Sequence, residues 1–142
     1  MREILFSGKR IDDHKWTCGF LIRSEDQAYL FHPSRLNKVF MFGTHFEECA
    51  LSEIDPNTIS QYTGQRDENG IMIFEGDIID ASKERWQAEH DSPITPVEWD
   101  DDVCGFAPFA IYDCDCGIYI NAGNCRVIGN IYDNPELLKP EE

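Results

Sequence analysis

The chain has 142 residues, 42% of them hydrophobic, with nine Phe, five Tyr and three Trp, enough for one domain with a real core. Its formal net charge of −15 argues against direct binding to nucleic acid or an anionic membrane, because phosphate contact needs Lys and Arg. No apolar run reaches the length of a membrane span.

The charge is unevenly placed. Residues 1–40 hold seven Lys/Arg against five Asp/Glu, whereas residues 41–115 hold three against eighteen. Such a block either keeps the protein soluble by self-repulsion or offers a surface to a basic partner. The first ten residues, MREILFSGKR, lack the apolar segment of a signal peptide, so a cytoplasmic protein is expected. In that setting Cys18, Cys49, Cys104, Cys114, Cys116 and Cys125 are expected as reduced thiols.

In chain order, residues 2–11 and 15–23 read as an N-terminal hairpin around Asp12-Asp13-His14, with Gly19 marking a bulge or close backbone approach. Residues 27–31 form a third short strand and 39–42 another apolar run, while 47–54 stay unassigned. Asp55-Pro56-Asn57 is a turn signal.

The stretch 61–80, QYTGQRDENGIMIFEGDIID, is the centre of the pattern. Asn69-Gly70 between extended runs predicts a two-residue type I′ turn, pairing Glu68 with Ile71 and Arg66 with Ile73. A four-residue loop pairing Arg66 with Ile71 is the alternative. Gly64 and Gly76 punctuate the runs, and Asp77 is placed to bond local backbone N–H groups. Phe74 and Ile78 are predicted in the core and Glu68 outside it, so Phe74→Ala should cost about 3–5 kcal/mol.

Beyond residue 81 the alternation stops. A short helix over 82–89, capped by Ser82, and a loop are equal alternatives. Residues 97–99, 109–113, 117–120 and 126–132 read as further strands. Asn134-Pro135-Glu136 then starts a helical turn with a capping Asn, Leu137 and Leu138 pinning it to the core. The fold class is therefore mostly β: a small barrel or two packed antiparallel sheets, with at most short helices.

Three blocks of residues make the chain resemble the YopX family, small proteins found mostly in bacteriophages and prophages. The first is Arg2-Glu3-Ile4 with Phe6, Gly8, Trp16 and Gly19. The second is Gln61-Tyr62-Thr63-Gly64, Asp67, Asn69-Gly70 and Phe74-Glu75-Gly76-Asp77-Ile78. The third is Val127-Ile128-Gly129-Asn130-Ile131-Tyr132 with Asn134-Pro135-Glu136-Leu137-Leu138. The resemblance implies one domain over 1–142 with a variable acidic, cysteine-containing insert around 81–125. It implies a mainly β fold, a phage-linked origin in a bacterial cytoplasm, and no catalytic residues to carry over. Glu68 and Ile71 stand where the family pattern often has Lys, and the cysteines from 104 to 125 are particular to this chain.

Candidate chemistry is thin. Cys104, Cys114, Cys116 and Cys125 could offer four thiolates, but Cys114-Asp115-Cys116 is not the C-x₂₋₄-C knuckle of structural zinc. Glu98, Asp100, Asp101, Asp102, Asp113 and Asp115 lack the spacing of a calcium loop. Glu75 and Asp77 flank Gly76 as an acid/base pair would, yet hydrogen bonding at a bend accounts for them. His14, His32, His45 and His90 all fall in turns outside any metal or catalytic motif. No catalytic, metal or cofactor site is expected, and the motif residues Gly64, Asn69, Gly70, Phe74, Glu75, Gly76, Asp77, Gly129, Asn134 and Pro135 are read as structural. A protein partner, of phage or host, is expected; a homo-oligomer is compatible with it. The leading reading is a non-enzymatic accessory or interaction protein, ahead of an acidic decoy that binds a basic host protein, with an enzyme third. An accessory module should show a local apolar patch, with Trp86 or Phe106 as candidates.

Overall fold

A computed structural model describes residues 2–32, 51–84, 92–109 and 120–139. The chain divides into two compact units, Met1–Tyr62 and Thr63–Glu142. Among the described residues the helical content is confined to short 3-10 turns, the strands pair antiparallel, and the sheets are open rather than closed into a barrel.

In the first unit β1 (Phe6–Lys9) and β2 (Trp16–Arg23) form the expected hairpin, from Phe6↔Gly19 to Lys9↔Trp16. β3 (Ala28–Phe31) pairs with β2, and β4 (Leu51–Ile54), from the stretch left unassigned, pairs with β3. β5 (Ser60–Arg66) takes the other edge of β1 through Ser7↔Ser60, giving the order β4-β3-β2-β1-β5. The sheet curls until Arg10 bridges Ile54 and the Asp55 N–H reaches the Lys9 carbonyl at 2.8 Å. Alternation along the strands sends Leu21, Ala28, Leu30 and Ile54 to one face, where Phe6 and Ile59 complete the core. Gly19 makes the anticipated close approach: a Cβ there would overlap the Phe31 carbonyl oxygen. Asp55-Pro56-Asn57 behaves as its residues dictate, the Asp55 carboxylate accepting from the Asn57 N–H ahead of a 3-10 turn over Pro56–Thr58.

In the second unit β5 continues to Arg66 and β6 (Met72–Phe74) neighbours it. β7 (Asp77–Asp80) is the middle strand of three, between β8 (Ile94–Pro96) and β11 (Arg126–Asn130). β9 (Glu98–Asp100) and β10 (Gly105–Ala107) form a separate hairpin. Ile73, Ile79, Ala81, Val97, Ile120, Ala122 and Cys125 build the core, with Phe106, Phe109 and Val127 against it.

Several expectations are corrected here. The 69–70 turn is not type I′: Gly70 has φ 79°, but Asn69 does not lie in the positive-φ region. Instead the Asp67 N–H bonds the Ile71 carbonyl at 2.8 Å and the Gly70 N–H bonds the Asp67 carbonyl at 3.0 Å, leaving a three-residue loop. Neither predicted pairing fits this register. The cause is Asp67, whose Oδ1 accepts from Asn69 and Ile71 N–H groups and so holds an Asx turn that a two-residue loop would break.

Phe74 is only half-buried, while Ile73 is fully buried; strand alternation allows one of the two inward, and it is Ile73. Phe74→Ala is accordingly expected to cost about 1–3 kcal/mol in urea melts and Ile73→Ala about 2–5 kcal/mol. Ile78 is buried as expected. Glu68 is not fully exposed, because it closes on the Lys83 ammonium.

The last strand stops at Asn130, since the Asn130 side chain accepts from the Tyr132 and Asp133 N–H groups and turns the chain. Pro135–Leu138 is a 3-10 turn, but Asn134 does not cap it; its Oδ1 accepts instead from the Asn130 N–H at 3.3 Å. Leu137 and Leu138 are half-buried rather than core. The 105–107 strand had no alternation to announce it. Ser82 belongs to a turn, bonded back to Asp80. The apolar run 39–42, most of the proposed helix 82–89, most of the strands at 109–113 and 117–120, and Cys49, Trp86, Cys114 and Cys116 lie outside the described residues.

Candidate functional site

Within the second unit the central hairpin is fastened by Asp67. It is only 5% exposed, and besides the two loop N–H groups its Oδ2 accepts from the Val127 N–H at 3.0 Å. Burial pushes its carboxyl up, but the three backbone N–H groups outweigh that and leave it below the ordinary Asp value. The neighbouring Glu68 N–H bonds the Cys125 carbonyl at 2.9 Å, bringing the loop onto the start of β11.

Beside this junction opens a polar cleft of about 100 Å³ lined by Glu68, Asp80, Ser82, Lys83, Asn124 and Arg126. Lys83 pairs with Glu68, and an Arg126 guanidinium nitrogen lies 3.6 Å from Asp80. Ser82 donates its Oγ–H and its N–H to Asp80 Oδ1 at 2.6 and 2.9 Å, and these bonds, against the cost of burial and with help from Arg126 and Lys83, lower the Asp80 pKa. Glu84 accepts from the Asn124 side chain at 2.8 Å and from the Asn121 N–H at 3.3 Å. The nearby Cys125 thiol is buried, and burial together with the surrounding carboxylates pushes its pKa up to about 11.

Chemically the cleft balances itself. A carboxylate held below its ordinary pKa is a poor general base for Ser82, and a thiol near 11 stays protonated at neutral pH. Two cations meet two carboxylates, which makes an ion-paired clasp between the hairpin loop, the end of β7 and the start of β11.

Gly76, Asp77, Gly129 and Asn134 of the motif form one strut between the β6–β7 turn and the end of β11. Gly76, at φ 86°, donates its N–H to the Val97 carbonyl at 2.7 Å and accepts from the Ile131 N–H at 2.8 Å. Asp77 pairs with Asn130, and its Oδ2 accepts from the Phe74 N–H at 2.8 Å, the local bond expected of it. Glu75 is half-buried in the same turn. Gly129 sits where a Cβ would meet Asn134 Oδ1 at 2.6 Å, so the 129 and 134 positions fit each other. Asn69 and Gly70 are exposed in the hairpin loop, Gly64 is exposed in β5, and Pro135 opens the last 3-10 turn. Burial pushes the Asp77 carboxyl up to about 6, the Phe74 N–H partly opposing it and the Asp67 charge adding to it.

Asp100, Asp101 and Asp102 form the tip of the β9–β10 hairpin, where Asp100 accepts from the Asp102 N–H and Asp101 from the Trp99 indole. Cys104 is exposed and Cys125 buried. Among the described residues no three His, Cys, Asp or Glu side chains gather as metal ligands would, and no helix is long and apolar enough to cross a membrane. Asp67, Lys83, Glu84 and Asn121 were not singled out as site residues from sequence; the Asp-x-Asn-Gly order at 67–70 was the one available signal, since it is an Asx-turn pattern.

The fold has a solved counterpart in the crystal structure of protein EF1440 from Enterococcus faecalis. That chain superposes with a TM-score of 0.51 at 22% identity, over 98% of this chain and 100% of its own. No curated protein matches the sequence. The family model described as YopX protein matches residues 15–139, with the central and C-terminal blocks that build the strut inside it, and the chain therefore belongs to the YopX family.

Proposed function

We propose that the chain is a non-enzymatic interaction protein of phage or prophage origin, acting in the cytoplasm of a bacterial host through a protein partner. The observation that carries this reading is an apolar patch on the first unit. β2 is apolar on both faces: Leu21 turns to the core, while Phe20 and Ile22 stand outward at 46% and 51% exposure. Register places Phe20 opposite Phe31, which is buried, and Ile22 opposite Tyr29, which is half-buried, so the exposed apolar surface is centred on β2. A sheet face turned to water ordinarily alternates to polar residues, and exposed apolar stripes mark interaction sites. The self-neutralised cleft supports the non-enzymatic part of the reading.

The acidic decoy is the second reading, favoured by the eighteen acids against three bases in residues 41–115. Salt separates the two. Affinity for the partner should change by less than about threefold between about 50 and 200 mM salt if apolar contact dominates, whereas a decoy would lose orders of magnitude. The double variant Phe20→Ser/Ile22→Ser should abolish capture of the partner while leaving the melting temperature within a few degrees. Undiminished capture by that variant, together with a steep salt slope toward a DNA-binding prey, would overturn the interaction-patch reading.

A further inference from the structure

The turn between β6 and β7 holds a carboxylate with little to neutralise it. Asp77 is half-buried, and among the described residues its carboxylate takes one hydrogen bond, from the Phe74 N–H at 2.8 Å. Asp67, by contrast, takes three N–H donors, and Asp80 has Ser82 and Arg126. The charged and titratable groups on the described elements around Asp77 do not compensate. Glu75 lies in its own turn, Asp67 on the central hairpin, Glu98 beside Val97, Tyr132 and Asp133 after β11, and Glu136 in the 3-10 turn that packs on β8. The cations on these elements stand elsewhere: Arg126 pairs with Asp80 at the far end of β7, and Lys139 closes the 3-10 turn. The one charge that acts on Asp77 is that of Asp67, which makes its ionisation harder.

The same turn is a mechanical junction. The Gly76 N–H bonds the Val97 carbonyl, the Val97 N–H bonds the Asp77 carbonyl, and the Ile131 N–H bonds the Gly76 carbonyl, at 2.7, 2.8 and 2.8 Å. Ile131 and Tyr132 lie over Gly76, within 3.4 Å of where its Cβ would be. One turn thus joins the β8–β9 connection and the segment after β11.

We propose that the β6–β7 turn is a proton-sensitive joint, which grips Val97 and the Ile131–Tyr132 segment most firmly when Asp77 is protonated and loosens when it ionises. Protonation leaves one oxygen to accept the Phe74 N–H and removes the burden of a buried charge beside Asp67. Opening the joint brings the carboxylate to water, so ionisation favours the open form. The direction follows from linkage. The folded-state value near 6 lies above the ordinary 3.8, so the stabilisation is fully present below pH 3.8 and is lost as pH rises through about 6. The exposed Ile131 and Tyr132 side chains, hung from Gly76, are consequently presented differently at the two ends of that window.

Amide hydrogen exchange of the full chain tests this, with protection factors corrected for the intrinsic pH dependence of exchange. The Gly76, Val97 and Ile131 amides should be about tenfold better protected at about pH 5 than at about pH 7.5, because pH 5 lies roughly one unit below the closed-state value. Asp77→Asn should hold them at one protection level across that range. The Tyr62 amide, bonded to the Leu5 carbonyl in the other unit, serves as the reference. Equal protection at both pH values in the unsubstituted protein, or the same pH dependence in Asp77→Asn, would overturn the joint. Should Asp77→Asn not fold, carbon-detected titration of the Asp77 carboxyl in the unsubstituted protein decides: a midpoint near 6 supports the proposal and one at an ordinary Asp value ends it.

Discussion

Gly19→Ala is expected to destabilise the first unit by about 3–4 kcal/mol, near the upper end for overpacking, or to prevent its folding. The added Cβ would overlap the Phe31 carbonyl oxygen and lie 2.8 Å from the carbonyl carbon, both backbone atoms with no rotamer to retreat into. Relief requires β2 and β3 to part where Phe20 faces Phe31, and Gly19 also pairs with Phe6 on the opposite side. Two comparators isolate the cause. Gly8→Ala meets the Ile54 Cδ1 at 2.5 Å, a side-chain end that can rotate, and should cost less. Gly70→Ala has open space but φ 79°, so only the left-handed backbone resists it, at about 1 kcal/mol. Urea titrations followed through Trp16 on β2 would rank the three. A Gly19→Ala cost below that of Gly70→Ala would show that the β2–β3 approach is looser than the geometry states.

Asp67→Ala should be the most damaging change in the second unit, at about 3–5 kcal/mol, because three N–H donors lose a charged acceptor together. Two of them shape the hairpin loop, and the third, Val127, lies 60 residues away in sequence on β11. Removing the carboxylate therefore undoes a local turn and a long-range clamp at once. Asp67→Asn keeps an acceptor for the loop but turns an NH₂ toward the Val127 N–H, so it should fall between Ala and the unsubstituted protein. Loss of exchange protection at the Val127 amide, alongside the drop in urea midpoint, would identify the clamp. A cost under about 1 kcal/mol for Asp67→Ala would mean water replaces the carboxylate without penalty.

What the sequence made readable follows from the range of the forces involved. The β1–β2 hairpin, the close approach at Gly19 and the Asp55 cap were legible because each depends on residues a few positions apart. The fold class was legible for the same reason, through strand alternation and turn chemistry. Around Asn69-Gly70 two local rules competed. The dipeptide favours a two-residue turn, and Asp67 two residues earlier favours an Asx turn; the second won because its carboxylate is also held by Val127. Phe74 misled because size suggested burial, whereas the inward face of a three-residue strand admits only Ile73. The clasp of Glu68, Lys83, Asp80 and Arg126 could not be read at all, since it exists only once β7 and β11 lie side by side.

That pairing also orders the events of folding. β1, β2 and β3 follow one another as a meander, so their closure joins near neighbours and can proceed early in synthesis. β7 must wait for β11, whose Arg126 pairs with Asp80, and Asp67 keeps an unmatched acceptor until Val127 arrives. Contacts of such high sequence separation form slowly, because the chain entropy of the intervening loop is lost before any bond repays it. During that interval Ile78 and Ile79, both sealed in the finished fold, stand in an unpaired strand edge. The acids concentrated between residues 41 and 115 surround that edge in sequence, and like charges beside a strand edge oppose its pairing with a second copy.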